Sequence, residues 1–304
     1  MRYRSSTSNR LRRRSNCFDK TLAHDATMNK QQIFREIANQ VAHGELRFPT
    51  GAQVALKLRR ALDDPDCQIN TAAKLIQAEP LLAARVIAIA NSVVYNPSGR
   101  EITDVHVAIS LLGFRTLRPL TMALVARQMA GSSSAPEHQK LLNELWEHSI
   151  HVAALAHAIA RHVTHLDPET ALFVGIIHEI GGFYMLSLSK EFTGLLDGDY
   201  AEWLEGGEIE VGRQILTKLQ LPDSVMQIIE TFWDGFLAVP PVTMADTLLL
   251  ADQLAPSPSP LHRWFNEVDD PNVRIEMVIG EETLSLIMQE AAAEIVSLTS
   301  ALQF

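Results

Sequence analysis

Residues 48–96 read FPTGAQVALKLRRALDDPDCQINTAAKLIQAEPLLAARVIAIANSVVYN, and this stretch decides the fold class. Val54, Ala55, Leu58, Ala61 and Leu62 recur at the spacing of one face of an α-helix. Asp63-Asp64-Pro65-Asp66 breaks that face, because a proline inside a helix removes a hydrogen bond and clashes with the preceding turn. Asn70 reads as the cap of a short helix through Ala72, Leu75 and Ile76. Pro80 suits the first turn of the next, which carries Leu82, Val86, Ile89 and Ala90. Asn91-Ser92 ends it, and Tyr95-Asn96-Pro97-Ser98-Gly99 is a loop. Successive helical faces with no apolar–polar alternation predict an all-α chain.

The same pattern extends in both directions. Upstream, Ile33, Phe34, Ile37 and Val41 place an amphipathic helix over 30–42, which Gly44 ends, and Thr50 reads as a cap. Downstream, Asp104 reads as the cap of a helix through Val107, Ala108 and Leu111, stopped by Gly113, with a further helix over 115–129. Gly131-Ser132-Ser133-Ser134-Ala135-Pro136 reads as a flexible boundary between two sub-bundles, about 29–130 and 136–254. The second begins with a long helix over 137–163. A turn at Leu166-Asp167-Pro168 leads to a helix over 168–177, then one over 178–187 beyond an expected kink at Gly181-Gly182. Residues 202–210 are acidic, and helices follow over 211–219, 222–232 and 242–254. Ala255-Pro256-Ser257-Pro258-Ser259-Pro260 reads as a linker to a C-terminal extension over 255–304, with a short segment around Trp264 and a last helix over 282–301. No strand, fixed-period repeat or glycine-rich phosphate loop is predicted.

Composition narrows the function classes. The net charge is −10, yet residues 1–28 carry seven arginines and lysines against Asp19 and Asp25, so the remaining body is more acidic than the total. An acidic body argues against nucleic-acid binding, which needs clustered cations. The leader reads as a disordered tail or a stretch upstream of a start at Met28, with a transit-like or anion-binding arm as the alternatives. Cys17 and Cys67 make no disulfide framework, and a reducing cytoplasm is expected. No uninterrupted apolar run approaches the ~20 residues of a membrane span, and no apolar segment follows the basic leader as in a secretory signal.

Three segments together resemble the HDOD family, a mostly non-catalytic signalling module related to metal-dependent HD phosphohydrolases. The first is 48–96, with Glu79-Pro80 where the family has Asp-Pro, followed by Ala90-Asn91-Ser92 and Tyr95. The second is 102–118, with Ala108, Ile109, Leu112, Gly113 and Leu117-Arg118. The third joins Trp146-Glu147-His148-Ser149 to Val174-Gly175-Ile176-Ile177-His178-Glu179-Ile180-Gly181. The resemblance spans about 48–254 and implies an all-helical fold with an HD-like second sub-bundle and a role in bacterial signal transduction.

It also implies a metal site. His148 matches the first histidine of HD enzymes and His178 the second, with Glu179 where the adjoining aspartate belongs and Asp252 as the last carboxylate. Glutamate is one methylene longer, so its oxygen is displaced unless the backbone shifts. Gly182 replaces a lysine of active relatives, and Phe232-Trp233 falls where many HD hydrolases carry two further histidines. The expected reading is a vestigial site in a non-catalytic regulatory module with no cofactor, recognising a signalling protein or a small ligand. The rival is a metal-dependent phosphohydrolase or phosphodiesterase holding a divalent ion on those four residues. A nucleic-acid-associated regulator using the arginine arm is a third.

Other residues are weighed beside these. His148, His151 and Glu144 lie on neighbouring turns of one helix, while His157, His162 and His165 read as a solvated or satisfied surface. Arg115 and Arg118 read as salt bridges between the sub-bundles or as an anion site at a helix start. Asn91 and Ser92 are expected to satisfy backbone groups, and Trp203, Trp233, Phe236 and Trp264 to pack between helices. The C-terminal helix, with Leu284, Ile287, Ala291 and Leu298, docks on the bundle or on another protomer.

Overall fold

The structure, a computed structural model, describes residues 29–302 apart from 45, 47–49, 79, 131–135, 193, 198–202 and 262–278. The basic leader, the Phe48-Pro49 lead-in, the 131–135 connection and Trp264 lie outside the described residues. Among those described, every regular element is helical. They are α1 (Lys30–His43), α2 (Thr50–Asp63), α3 (Ile69–Gln77), α4 (Pro80–Ala90), α5 (Val105–Ala130) and α6 (Pro136–Ile159). Then come α7 (Pro168–Ile177), α8 (Ile180–Ser187), α9 (Glu210–Lys218), α10 (Asp223–Trp233), α11 (Met244–Leu254) and α12 (Glu281–Leu302). Two π-helical turns, Ala160–Thr164 and Trp203–Ile209, extend α6 and precede α9.

Local chemistry sets most boundaries. Asn29 and Gln32 cap α1 reciprocally, each side chain on the other's backbone amide at 2.9 Å. Asp104 accepts from the His106 and Val107 amides at the start of α5. Gly113 sits inside α5 at φ 72°, ψ 164°, a conformation open chiefly to glycine, and bends the helix there. Two expected caps differ. Thr50 is the first helical residue of α2, and α3 starts one residue before Asn70 because the extended Gln68 offers its carbonyl to Thr71 and Ala72.

The kink expected at Gly181-Gly182 falls instead at His178-Glu179, between α7 and α8. The two glycines begin α8 as regular helix because the buried Glu208 carboxylate accepts their amides at 3.2 and 2.5 Å. They also allow close backbone approach: a Cβ on Gly181 would lie 2.9 Å from the Gly212 nitrogen.

Helices α2, α3 and α4 pack on α5, and α6, α7 and α11 form the centre of the second half. Helix α5 contacts α7 and α8 as well, so one apolar core runs through both halves. Helix α1, expected in the first sub-bundle, packs on α9 and the Trp203–Ile209 turn instead. Its buried Phe34 meets Trp203 edge-on, ring centroids 5.7 Å apart, which supplies the apolar partner its inner face needs. Helix α12 docks within the chain on α6, α4 and the Ala160–Thr164 turn. The half-buried Tyr95 hydroxyl donates to Glu294 at 3.2 Å, and His162 lies 3.0 Å from Glu290.

Two helical stretches, Val105–Met129 and Pro168–Ser187, are long and apolar enough to cross a membrane by length and composition, although charged residues interrupt both. In the fold 61% and 89% of their most apolar windows are buried, as in core helices.

Two tests follow from this packing. A Cβ on Gly175 would lie 2.4 Å from the Ala153 Cα, so Gly175→Ala forces α6 and α7 apart and should lower stability by about 3 kcal/mol in urea unfolding. Burial holds the Glu294 carboxyl up at about 7, against an ordinary 4.5, although the Tyr95 bond lowers it. The folded chain therefore binds this proton more tightly than the unfolded chain. Its stabilisation is complete below the ordinary value and is lost as pH rises through the folded value. Glu294→Gln should flatten the stability–pH curve in that window by up to about 3 kcal/mol, read from unfolding midpoints across pH.

Candidate metal centre

Helix α6 carries His148 inward, and the break after α7 presents His178 and Glu179 to it. Asp252 comes from the last turn of α11. The structure brings all four expected residues together. The His148 and His178 Nε2 atoms are 3.3 Å apart, and Glu179 Oε2 lies 3.8 and 3.9 Å from them. Asp252 Oδ1 is 3.2 Å from His148 Nε2. The longer glutamate reaches the nitrogens because its backbone sits in the interhelical break, at φ −113°, ψ 27°.

Chain segment 255–260, read from composition as a linker, is packed against this cluster together with Leu261. His148 Nδ1 donates to the Ser257 carbonyl at 2.8 Å, and the Ser259 hydroxyl donates to Glu179 Oε1. Leu261 is buried, lying where a Cβ on Gly182 would collide with it. Phe232 stands edge-on to His178 with ring centroids 5.4 Å apart, an apolar ring where further nitrogen ligands were absent from the sequence. Exposure is 1% for His148, and none for His178 and Glu179.

The hydrogen bonds determine the tautomers. A carbonyl only accepts, so His148 Nδ1 on Ser257 and His178 Nδ1 on Gly175, at 2.7 Å, both carry hydrogens. Their Nε2 atoms are thereby aimed at each other. Two bare lone pairs at 3.3 Å repel, so a cation, either a proton or a metal ion, belongs between them. Burial pulls the His148 imidazole down, but the Glu179 charge, the Asp252 contact and the Ser257 carbonyl outweigh it and hold the ring at about 9. Burial pushes His178 the other way. With no metal the proton therefore rests on His148.

A metal ion also fits the donors. One Nε2 from each histidine and a Glu179 oxygen lie within 4.8 Å of one another. A tetrahedral ion with metal–nitrogen bonds of ~2.0–2.1 Å has ligand atoms about 3.3 Å apart, the spacing of the two imidazoles. Each ring's far nitrogen is anchored to a carbonyl, as in ligating histidines generally.

Glu208 belongs to the surroundings of the site although the sequence showed it only as one acid among several. It is buried, and burial with the nearby Glu179 charge pushes its carboxyl well up, against the two glycine amides. Ser257 and Ser259 were likewise hidden inside a linker-like composition. Other candidates fall elsewhere. His151 Nδ1 donates to its own helix at Glu147, 2.6 Å away, and His165 bonds the Arg161 carbonyl. His157, expected on a solvated or satisfied surface, is 8% exposed because α6 turns it toward the other half of the bundle. Arg115 pairs with Asp167 across the halves, whereas Arg118 stays within its own half on Asp63 and the Leu62 carbonyl. Asn91 bonds both backbone groups of Ile102. Trp203 and Trp233 are buried, and Phe236 is 77% exposed.

Known proteins share this architecture. A structure of a candidate metal-dependent phosphohydrolase from Shewanella amazonensis SB2B superposes with a TM-score of 0.66 at 19% identity, covering 89% of this chain and 99% of that one. An HDOD domain protein with unknown function from Geobacter sulfurreducens gives 0.61 at 19% identity, covering 90% and 99%. A candidate signal transduction protein from Marinobacter aquaeolei VT8 gives 0.55 at 17% identity, covering 91% and 67%. At these identities the likeness is one of fold. No curated protein matches the chain. The HDOD domain matches residues 48–234, more than half of the sequence and both histidines of the cluster: the chain belongs to the HDOD family.

Proposed function

We propose that this chain is a non-catalytic HDOD regulatory module of bacterial signal transduction, working in the cytoplasm by recognising a protein partner or a small ligand. One observation carries the reading. The His148–His178–Glu179 cluster is closed to solvent, with Ser257, Ser259 and Leu261 on its open side. Phosphoester hydrolysis at a metal needs a coordination position open to water and room for the phosphate. Here Ser259 holds one Glu179 oxygen, the Ser257 carbonyl holds His148, and a phenyl ring borders His178.

His148, His178, Glu179 and Asp252 would hold a divalent ion as a closed, structural site. When bound, such an ion supplies positive charge that balances the two carboxylates. The side chains do the rest by tying α6, α7 and α11 to the returning 255–261 segment. Domain limits follow the same logic: a helical body over 29–254, with the 255–261 segment and α12 laid back upon it.

A metal-dependent phosphohydrolase is the second reading, favoured by the 3.3 Å spacing of the imidazoles and by the description of the Shewanella amazonensis protein. Hydrolysis of cyclic dinucleotides and nucleotides, with and without added manganese, iron, nickel or zinc, separates the two. The expected result is no turnover above the buffer rate. Turnover that disappears in His178→Ala would establish the enzyme instead.

Closure has its own test. Ser259→Ala leaves a buried Glu179 oxygen without its hydroxyl donor and should cost about 1–3 kcal/mol. Hydrogen exchange at 257–261 should accelerate in the same variant; unchanged protection there would show that the segment is held by other contacts.

A further inference from the structure

A second feature lies away from the metal centre, where the two halves meet at the Gly113 bend. A cleft of about 720 Å³ opens there between α3, both limbs of α5, the end of α6 and the start of α7. That volume is in the range of small-molecule sites, roughly 300–1,000 Å³. One wall is apolar, made by Ile69, Leu112 and Phe114. The bend turns the second limb of α5 so that it starts at the cleft, and the space beside Gly113 is open. A helix start offers amide hydrogens and the positive end of the helix dipole to an anion.

The floor carries polar groups with hydrogen-bonding capacity to spare. His157 is 8% exposed and lines the cleft, and its ring makes no hydrogen bond among the described residues. Burial, with the nearby Arg161 charge, holds the ring down at about 4, so it is a neutral donor and acceptor. Glu169 also lines the cleft; its side chain is hydrogen-bonded to Thr116, and its Oε2 atom is buried with no hydrogen-bond partner. A buried polar atom left unpaired is uncommon and costly, and a ligand would satisfy Glu169 Oε2 while bonding the imidazole. At the mouth stand Arg115 and Arg161, 69% and 52% exposed. Arg115 is steadied by Asp167 and Arg161 by Glu290 at 3.4 Å. A guanidinium has five donors, so each keeps hydrogens for a phosphate.

We propose that this cleft binds a nucleoside phosphate, with the base between the apolar wall and the His157–Glu169 floor and the phosphate at the α5 bend between Arg115 and Arg161. A carboxylate and a neutral imidazole suit the mixed donors and acceptors of a base edge. The inference rests on the regulatory reading above and gives it a ligand class.

Calorimetric titration of the full chain tests it, with AMP, GMP, adenosine, guanosine and inorganic phosphate as probes. At least one nucleotide should bind about tenfold or more tightly than its nucleoside and than phosphate. Ser110→Trp, at an exposed position on the cleft edge, should abolish binding without changing the thermal midpoint. Arg161→Gln should weaken binding about tenfold, while Glu290→Gln, which removes the carboxylate partner of Arg161 and His162 but no group lining the cleft, should leave it intact. Nucleotides that do not bind the wild-type chain, or that bind Ser110→Trp equally well, overturn the site, as does phosphate binding as tightly as the nucleotide. None of those results bears on hydrolysis. Breakdown of AMP or GMP during titration would count against the regulatory reading, and its persistence in Ser110→Trp would trace it to the metal centre.

Discussion

Two imidazoles facing each other in a closed interior impose the central constraint on this molecule. With each far nitrogen committed to a carbonyl, the near nitrogens meet at 3.3 Å and require positive charge between them. That charge in turn requires carboxylates, which Glu179 and Asp252 provide. Buried ions without partners are strongly destabilising, so the four groups stand or fall together. Because they come from α6, the α7–α8 break and α11, their mutual dependence ties the second half of the fold into one unit.

The carbonyl that orients His148 belongs to Ser257, beyond the residues that match the HDOD family. The segment closing the cluster is thus a feature of this chain's continuation rather than of the matched domain. Its presence turns an arrangement of ligand-type residues into an interior polar core. Glu208 repeats the theme one layer away, using a buried carboxylate to start α8 where two glycines would otherwise leave amides unpaired.

The halves are joined by a different logic. Helix α5 bends at Gly113 and touches both, and α12 lies across α4 and α6. Arg161 faces the cleft and also reaches Glu290 on α12, so an occupant of the cleft would share a residue with the helix that spans the halves.

The all-α class, most helix limits and the four clustered residues were legible in the sequence, because helical periodicity, caps and motif order are local properties of the chain. Gly113 announced its bend, and Asp104 its cap, from neighbours alone. The position of α1 on α9, the burial of His157, the role of Glu208 and the closing of the site by Ser257 and Ser259 were not legible. Each depends on groups far apart in sequence: Phe34 on Trp203, Gly181 on Glu208, His148 on Ser257. A proline–serine run reads as a linker until a buried histidine needs its carbonyl. The sequence by itself, through its resemblance to the HD motifs, named which residues could make a metal-type cluster, since motif order is written along the chain. Only the tertiary structure decided that the cluster is sealed, because access to solvent is a property of the surrounding surface and not of the residues that carry the chemistry.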